Sequence, residues 1–376
     1  MKQMLLSQRH ASKFRLLALY VFVVATCFTP FAAPNAAQIA PFAFPGAEPA
    51  DIPETWKPLI GEYGSVHPSL IILERAGKLI LHRMNGTEAT LQPAPDGNFT
   101  LFTPPNTWTT IHFDPGCLPA VPACVGRDRA GAMILNTFDE TTFLTRIPEP
   151  AEGQVFQIRP ARPIDELREK ALVASPPHEN GQFREPDLVE LAPLNPNIHL
   201  DIRYATANDF LGTPVYTQAR AFLQRPAADA LLRALNHLRP HGYGLLIHDA
   251  YRPWYVTKIF WDAAPNEGQI FVADPAQGSR HNRGCAVDLT LYDLKTGKPI
   301  EMPGTYDEMS ERSFPDYPGG TSLQRWHRDL LRWAMESEGF TVYEHEWWHF
   351  DYKDWHEYPI LNVPFEKLQF TEKQLR

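Results

Sequence analysis

Ser279-Arg280-His281-Asn282-Arg283-Gly284-Cys285-Ala286-Val287-Asp288-Leu289-Thr290-Leu291 reads as a polar loop that turns at Gly284 and enters a strand. Side chains along a strand point alternately to opposite faces, so Val287, Leu289 and Leu291 are expected in a core. Ala286, Asp288 and Thr290 then face the other way. This places His281 in the loop before the strand and Asp288 on its open face. Cys285 is expected to be a small packing residue, because its neighbours form a metal pattern and not a Cys/His dyad.

Two further stretches complete the pattern. Tyr343-Glu344-His345-Glu346-Trp347-Trp348-His349-Phe350 is aromatic and strand-like. Glu346 and His349 are three apart, which on a regular strand sends them to opposite faces, so both serve one site only if the segment bulges or ends there. Asp249-Ala250-Tyr251-Arg252-Pro253 follows directly on a short buried strand, Leu245-Leu246-Ile247, and such strand-end loops are a common place for functional groups. Two His and one Asp offer three zinc ligands of the usual type, with a fourth position left for water. A carboxylate in apolar surroundings can shuttle protons, and an arginine can face charge developing on a carbonyl oxygen. Each residue taken alone also has an ordinary reading: Asp249 as a turn former, Arg252 and Glu346 as ion-pair members. His248, His327, His345 and His356 are expected to be hydrogen-bonded structural residues.

The surroundings are mixed α and β from Asp187 onward. Pro226 fits the first turn of a helix, and Ala227, Leu231, Leu235 and Leu238 recur at helical spacing until Gly242–Gly244. A second helix is expected from Leu323 to Ser337, with Ser322 as its cap. Seven of the nine tryptophans fall between Trp254 and Trp355, which predicts a large aromatic core.

The patterns Ser-x-His-x-x-Gly-x-Ala-Val-Asp and Glu-x-Trp-His-Phe, with Tyr-Arg-Pro upstream, resemble the zinc D-alanyl-D-alanine dipeptidases of the VanX type, in the Hedgehog/DD-peptidase-like superfamily. The resemblance covers roughly Asp187 to Leu368 and includes Asp201-Ile202-Arg203-Tyr204-Ala205-Thr206-Ala207-Asn208-Asp209-Phe210. It implies an α+β catalytic domain around an antiparallel sheet. By similarity His281, Asp288 and His349 hold one Zn2+, Glu346 is the general base and then the proton donor, and Arg252 stabilises the oxyanion. Tyr204, Ser279 and Asp307 match positions lining the small substrate pocket, with Asp307 the natural partner of a dipeptide's ammonium. The alternatives are a related zinc carboxypeptidase or endopeptidase acting on peptidoglycan stems, and a non-catalytic zinc-holding cell-wall-binding protein.

The rest of the chain is organised differently. Residues 52–148 read as a small all-β domain of about six short strands, opening with a hairpin about Arg75-Ala76-Gly77-Lys78. Its role is an accessory one, with a cell-wall or protein partner left open. Residues 149–186 are a Pro-rich connector with one helix from about Ile164 to Ala174, and residues 187–376 are the catalytic domain. Lys2, Arg9, Lys13 and Arg15, the apolar run Leu16 to Phe28 and the small residues that follow have the layout of a signal peptide over 1–37. The run is shorter than the roughly 20 residues a membrane span needs, so export to the periplasm or medium is expected, with no stable span after cleavage; the alternative is an uncleaved signal anchor. In an oxidising compartment Cys117 and Cys124, flanking a short Pro-rich loop, are expected to form a bridge; the alternative is two buried thiols.

Composition narrows the classes by exclusion. The 376 residues carry 44 acidic and 35 basic side chains, a formal charge of −9, which argues against a general nucleic-acid binder. The 36 prolines argue against a helical bundle, since proline clashes with the preceding turn.

Overall fold

The computed structural model describes residues 42–64, 67–95, 97–103, 107–114, 132–136, 141–148, 157–264 and 272–368. The expected signal peptide and the Cys117–Cys124 pair lie outside the described residues. No helix among the described residues is long and apolar enough to cross a membrane.

Nine strands come first: β1 (Gly61–Gly64), β2 (Pro68–Arg75), β3 (Lys78–Arg83), β4 (Glu88–Thr90), β5 (Gln92–Pro93), β6 (Phe99–Thr103), β7 (Thr107–Asp114), β8 (Ala132–Asn136) and β9 (Thr141–Arg146). They form one antiparallel sheet in the order β4-β3-β2-β1-β9-β8-β7-β6-β5. The β2–β3 hairpin turns on Ala76 and Gly77, both at positive φ, as a two-residue turn matched to strand twist requires. The edge strands β4 and β5 are separated in the chain only by Leu91, so the sheet curls until its edges approach. The curl encloses Ile72, Leu79, Leu81, Leu101 and Ile111. Six of these strands are legible as apolar runs. The other three, β1, β4 and β5, are too short to show a period.

Helix α1 (Ile164–Val173) lies where the connector helix is expected and buries Leu167 and Ala171. A small ladder of β10 (Leu188–Glu190) and β12 (Phe222–Gln224) follows. The main sheet holds β11 (Ile198–Leu200), β13 (Tyr243–Asp249), β14 (Ala286–Asp293), β15 (Phe340–Tyr343) and β16 (Glu346–Tyr352), in the order β11-β13-β14-β16-β15. It is antiparallel except for β11 with β13, which run parallel. A parallel pair needs a long crossover, and helix α2 (Arg225–Leu238) supplies it between these two strands.

Helix α2 buries Ala227, Leu231, Leu235 and Leu238 at one face against α4 (Ser322–Glu336) and the sheet, while α1 lies against α3 (Trp254–Ala263). The three leucines among these, removed from water, contribute about 1.5–3 kcal/mol each. Val287, Leu289 and Leu291 of β14 join this core, as their alternation predicts. The cap of α4 is Thr321, not Ser322. Thr321 is extended, its Oγ1 accepts the Gln324 N–H at 3.0 Å, and the Gln324 Oε1 accepts the Thr321 N–H at 2.8 Å. This reciprocal pair leaves the Ser322 N–H to donate to Glu74.

Candidate active site

The face of β14 opposite the core is a polar row. Asp288 pairs in register with His349 of β16 on one side and Asp249 of β13 on the other, so three adjacent strands present a functional group at one level. The chain turns between Ser279 and Gly284 to bring His281 over this row. Asn282 fixes the turn: its Oδ1 accepts the Ser279 N–H, and its amide donates to the Arg252 carbonyl and to the Thr257 hydroxyl. Gly284 ends the turn at φ 68°, and a Cβ there would lie 2.5 Å from Leu188 Cδ2. Gly284→Ala is therefore expected to lower stability by at least about 1–2 kcal/mol from left-handed backbone strain alone, read as a fall in melting temperature.

His281 Nε2, His349 Nδ1 and Asp288 Oδ1 lie 3.0–3.4 Å from one another and are buried. The far nitrogens are committed: His281 Nδ1 lies 2.7 Å from the Ala250 carbonyl, and His349 Nε2 lies 2.9 Å from Asp351 Oδ1. Both partners only accept, so the distal nitrogens carry the protons and Nε2 of His281 and Nδ1 of His349 are left with lone pairs that could bind a metal ion. The donor set of two imidazoles and a carboxylate suits a divalent ion such as zinc. Burial opposes the charge on Asp288, but His281 and His349 hold its carboxyl well below the usual carboxylate range. The Tyr306 hydroxyl donates to its other oxygen at 3.2 Å.

Glu346 reaches the same place through a bulge. In the β15–β16 ladder Val342 faces Phe350 while its neighbour Tyr343 faces Glu346, so the intervening residues of β16 bow out of register. The bulge brings Glu346 Oε2 to 3.8 Å from His349 Nδ1, which resolves the conflict in the three-residue spacing. Burial pushes the Glu346 carboxyl up to about 7, against the pull of His349.

Arg252 follows β13 and is held by Asp249, whose Oδ2 accepts from Nε at 2.9 Å and from Nη2 at 2.8 Å. Tyr216 donates to the other Asp249 oxygen at 2.7 Å. The guanidinium lies over the rings of Phe260 and Tyr204. Burial opposes the charge on Arg252, but Asp249 outweighs it and keeps the group protonated. The Tyr204 hydroxyl donates to Asp307 Oδ1 at 3.0 Å, while Asp307 Oδ2 is buried without a partner. Burial, and then the nearby Asp288, raise the Asp307 carboxyl well above the usual range. All eight side chains expected at the site (Tyr204, Arg252, Ser279, His281, Asp288, Asp307, Glu346 and His349) line one cavity of about 350 Å³. That volume is at the small end for ligand sites.

Residues 184–369 match the family of D-Ala-D-Ala dipeptidases, the M15 peptidases. The D-alanyl-D-alanine dipeptidase of Escherichia coli (strain K12) is 37% identical over 179 residues, which are 48% of this chain and 91% of that protein. That of Enterococcus faecalis (strain ATCC 700802 / V583) is 36% identical over 192 residues, 46% of this chain and 91% of its own. The chain belongs to the D-alanyl-D-alanine dipeptidase family.

As a dipeptidase of this family the chain is a hydrolase, and the matched segment contains every cavity residue expected from its sequence. Cys285 is a free buried thiol whose burial raises its pKa, in keeping with a packing role. Sequence reasoning missed four supporting residues: Asp249, Asn282, Tyr306 and Asp351. Asp351 had a usable signal, since it stands two residues after His349 and so on the same strand face. Asp249 was quoted beside Arg252, but its pairing with Asp288 depends on a bulge at His248 that the sequence does not announce.

Proposed function

We propose that the chain hydrolyses free D-alanyl-D-alanine, with His281, Asp288 and His349 holding zinc and Glu346 moving the proton. The observation that carries this reading is that one small cavity is lined by three potential ligand side chains, by a carboxylate beside them and by Asp307, one of whose oxygens has no partner. Zinc bound there would polarise the scissile carbonyl and lower the pKa of water towards about 7. Glu346 takes the proton of the attacking water and delivers it to the departing amine. Arg252, which lines the same cavity, faces the oxygen on which charge develops.

Asp307 takes the substrate ammonium on its bare oxygen while Tyr204 holds the other, and Ser279 lines the pocket beside His281. A hydrogen bond to a charged group contributes about 1.5–3 kcal/mol, so Asp307→Asn is expected to raise KM roughly 10- to 100-fold with a smaller change in kcat. Steady-state kinetics on the free dipeptide read it; an unchanged KM would remove Asp307 from ammonium binding.

The deciding experiment measures alanine release by the zinc-loaded chain, before and after chelation, from the free dipeptide, an N-capped dipeptide and a stem pentapeptide. Zinc-dependent cleavage of the free dipeptide alone is expected. Cleavage of the pentapeptide would point to the stem-processing alternative, and no cleavage of any substrate would turn attention to wall binding.

The wider setting is proposed on the same footing. Residues 187–376 are read as the dipeptidase domain, 149–186 as its connector and 52–148 as an accessory β domain. The segment 1–37 is read as a signal peptide, so that the enzyme meets dipeptide outside the cytoplasm, in cell-wall turnover or salvage. Mature protein found in the cytoplasmic fraction would overturn that setting.

A further inference from the structure

The segment between β14 and α4 brings Asp307 and Met309 to the cavity wall, yet apart from one isolated bridge at Pro299 its regular structure is a single 3-10 turn, Glu311–Ser313. Asp307 stands there at φ 58°, a left-handed conformation that a residue with a side chain keeps only when its surroundings hold it. The residues on either side are tied together: Glu308 Oε2 accepts from the backbone and hydroxyl of Thr305, at 3.0 and 3.2 Å. Glu308 Oε1 is bound by the Arg312 guanidinium.

Arg312 in turn is shared with the first sheet. Glu62 of β1, itself 5% exposed, has Oε2 at 3.4 Å from Arg312 Nη1, and its Oε1 accepts from the Tyr317 hydroxyl at 3.0 Å. The Tyr317 ring is buried among Ile71, Leu73 and Ile80 of β2 and β3. A third tie is made by Glu74, whose backbone N–H donates to the Gly320 carbonyl and whose carboxylate accepts from the Ser322 N–H. The segment bearing Asp307 is thus fastened along its length to strands that lie outside the family match, which begins at residue 184.

We propose that Glu62 is a positioning residue for substrate binding: through Arg312 and Glu308 the first sheet holds Asp307 in the conformation that aims its bare oxygen at the dipeptide's ammonium. This rests on the reading of Asp307 as the ammonium partner. Two buried carboxylates on one guanidinium make the brace dependent on charge as well as shape. The first sheet is then part of the recognition machinery, acting at a distance from the chemistry.

The test uses the full chain loaded with zinc and reads kcat and KM for free D-alanyl-D-alanine, with bound zinc and melting temperature measured alongside. Glu62→Ala is expected to raise KM about 10-fold or more, with kcat changed less than about 3-fold and zinc unchanged. Glu62→Gln keeps the size of the side chain and one of its two acceptor oxygens but not the charge, and is expected to recover only part of that loss. Leu79→Ala removes buried carbon from the first sheet without touching the brace; it should lower the melting temperature and leave KM alone. In an Asp307→Asn background the effect of Glu62→Ala on KM should fall below about 2-fold, because coupled residues are not additive. An unchanged KM in Glu62→Ala, a loss confined to kcat, or an equal rise in KM from Leu79→Ala would each overturn the brace while leaving the Asp307 assignment standing. Should Asp307→Asn alone leave KM unchanged, the ammonium assignment itself fails and the brace falls with it.

Discussion

Glu346→Gln is expected to lower kcat about 1,000-fold while the protein keeps its zinc and its KM for D-alanyl-D-alanine changes little. The substitution keeps the size of the side chain and its place on the bulge of β16, and removes only the capacity to take and return a proton. General acid–base catalysis contributes roughly 100- to 10,000-fold, and in the proposed mechanism a single carboxylate serves both transfers. The Glu346 carboxylate lies 3.8 Å from His349 Nδ1, next to the ligand cluster but outside it, so its loss should not empty the metal site. Kinetics together with metal content separate the cases. A kcat within about 10-fold of the parent would exclude Glu346 as the base, because a lost proton shuttle costs at least about 100-fold. Loss of zinc along with activity would instead make Glu346 part of the metal site.

How much of this arrangement the residues disclose depends on the range over which each contact acts. The alternation Val287, Asp288, Leu289 is local, and it places the core and the site on opposite faces of β14 as observed. The helix containing Leu231 and Leu235 and the hairpin at Ala76-Gly77 are local too, one a matter of period and the other of a two-residue turn. The conflict between Glu346 and His349 could be stated from spacing but not settled, since the bulge exists only in the pairing of β16 with β15. The parallel placement of β11 is of the same kind, being set by the route of the chain through α2. Thr321 takes the cap in place of Ser322 because the cap requires an extended residue three before Gln324, and the two hydroxyls look alike in the sequence. The brace is the least legible: Glu62 and Arg312 are 250 residues apart, and only the fold joins them.

The pair Asp249–Arg252 separates stability from chemistry. Asp249 is 1% exposed and its Oδ2 accepts from both Nε and Nη2 of Arg252. Breaking a buried pair by removing one partner typically costs about 3–5 kcal/mol, because the other charge is left uncompensated. Arg252→Met is therefore expected to lower stability by about that much, with Asp288 Oδ2, 3.8 Å from the guanidinium, adding to the repulsion. Its activity should fall to background, but that loss alone would not distinguish a missing oxyanion partner from a disordered site. Arg252→Met combined with Asp249→Asn makes the distinction. The neutral amide can still accept from Tyr216 and leaves no buried charge behind, so the double variant should regain most of the lost stability in urea or thermal unfolding. Turnover should stay about 100- to 1,000-fold down, since in the proposed mechanism the guanidinium is the side chain that faces the charge developing on the carbonyl oxygen. A double variant that regained both stability and turnover would reduce Arg252 to a structural counter-ion. One that regained neither would show that the guanidinium also holds the Tyr204 and Phe260 rings over which it lies.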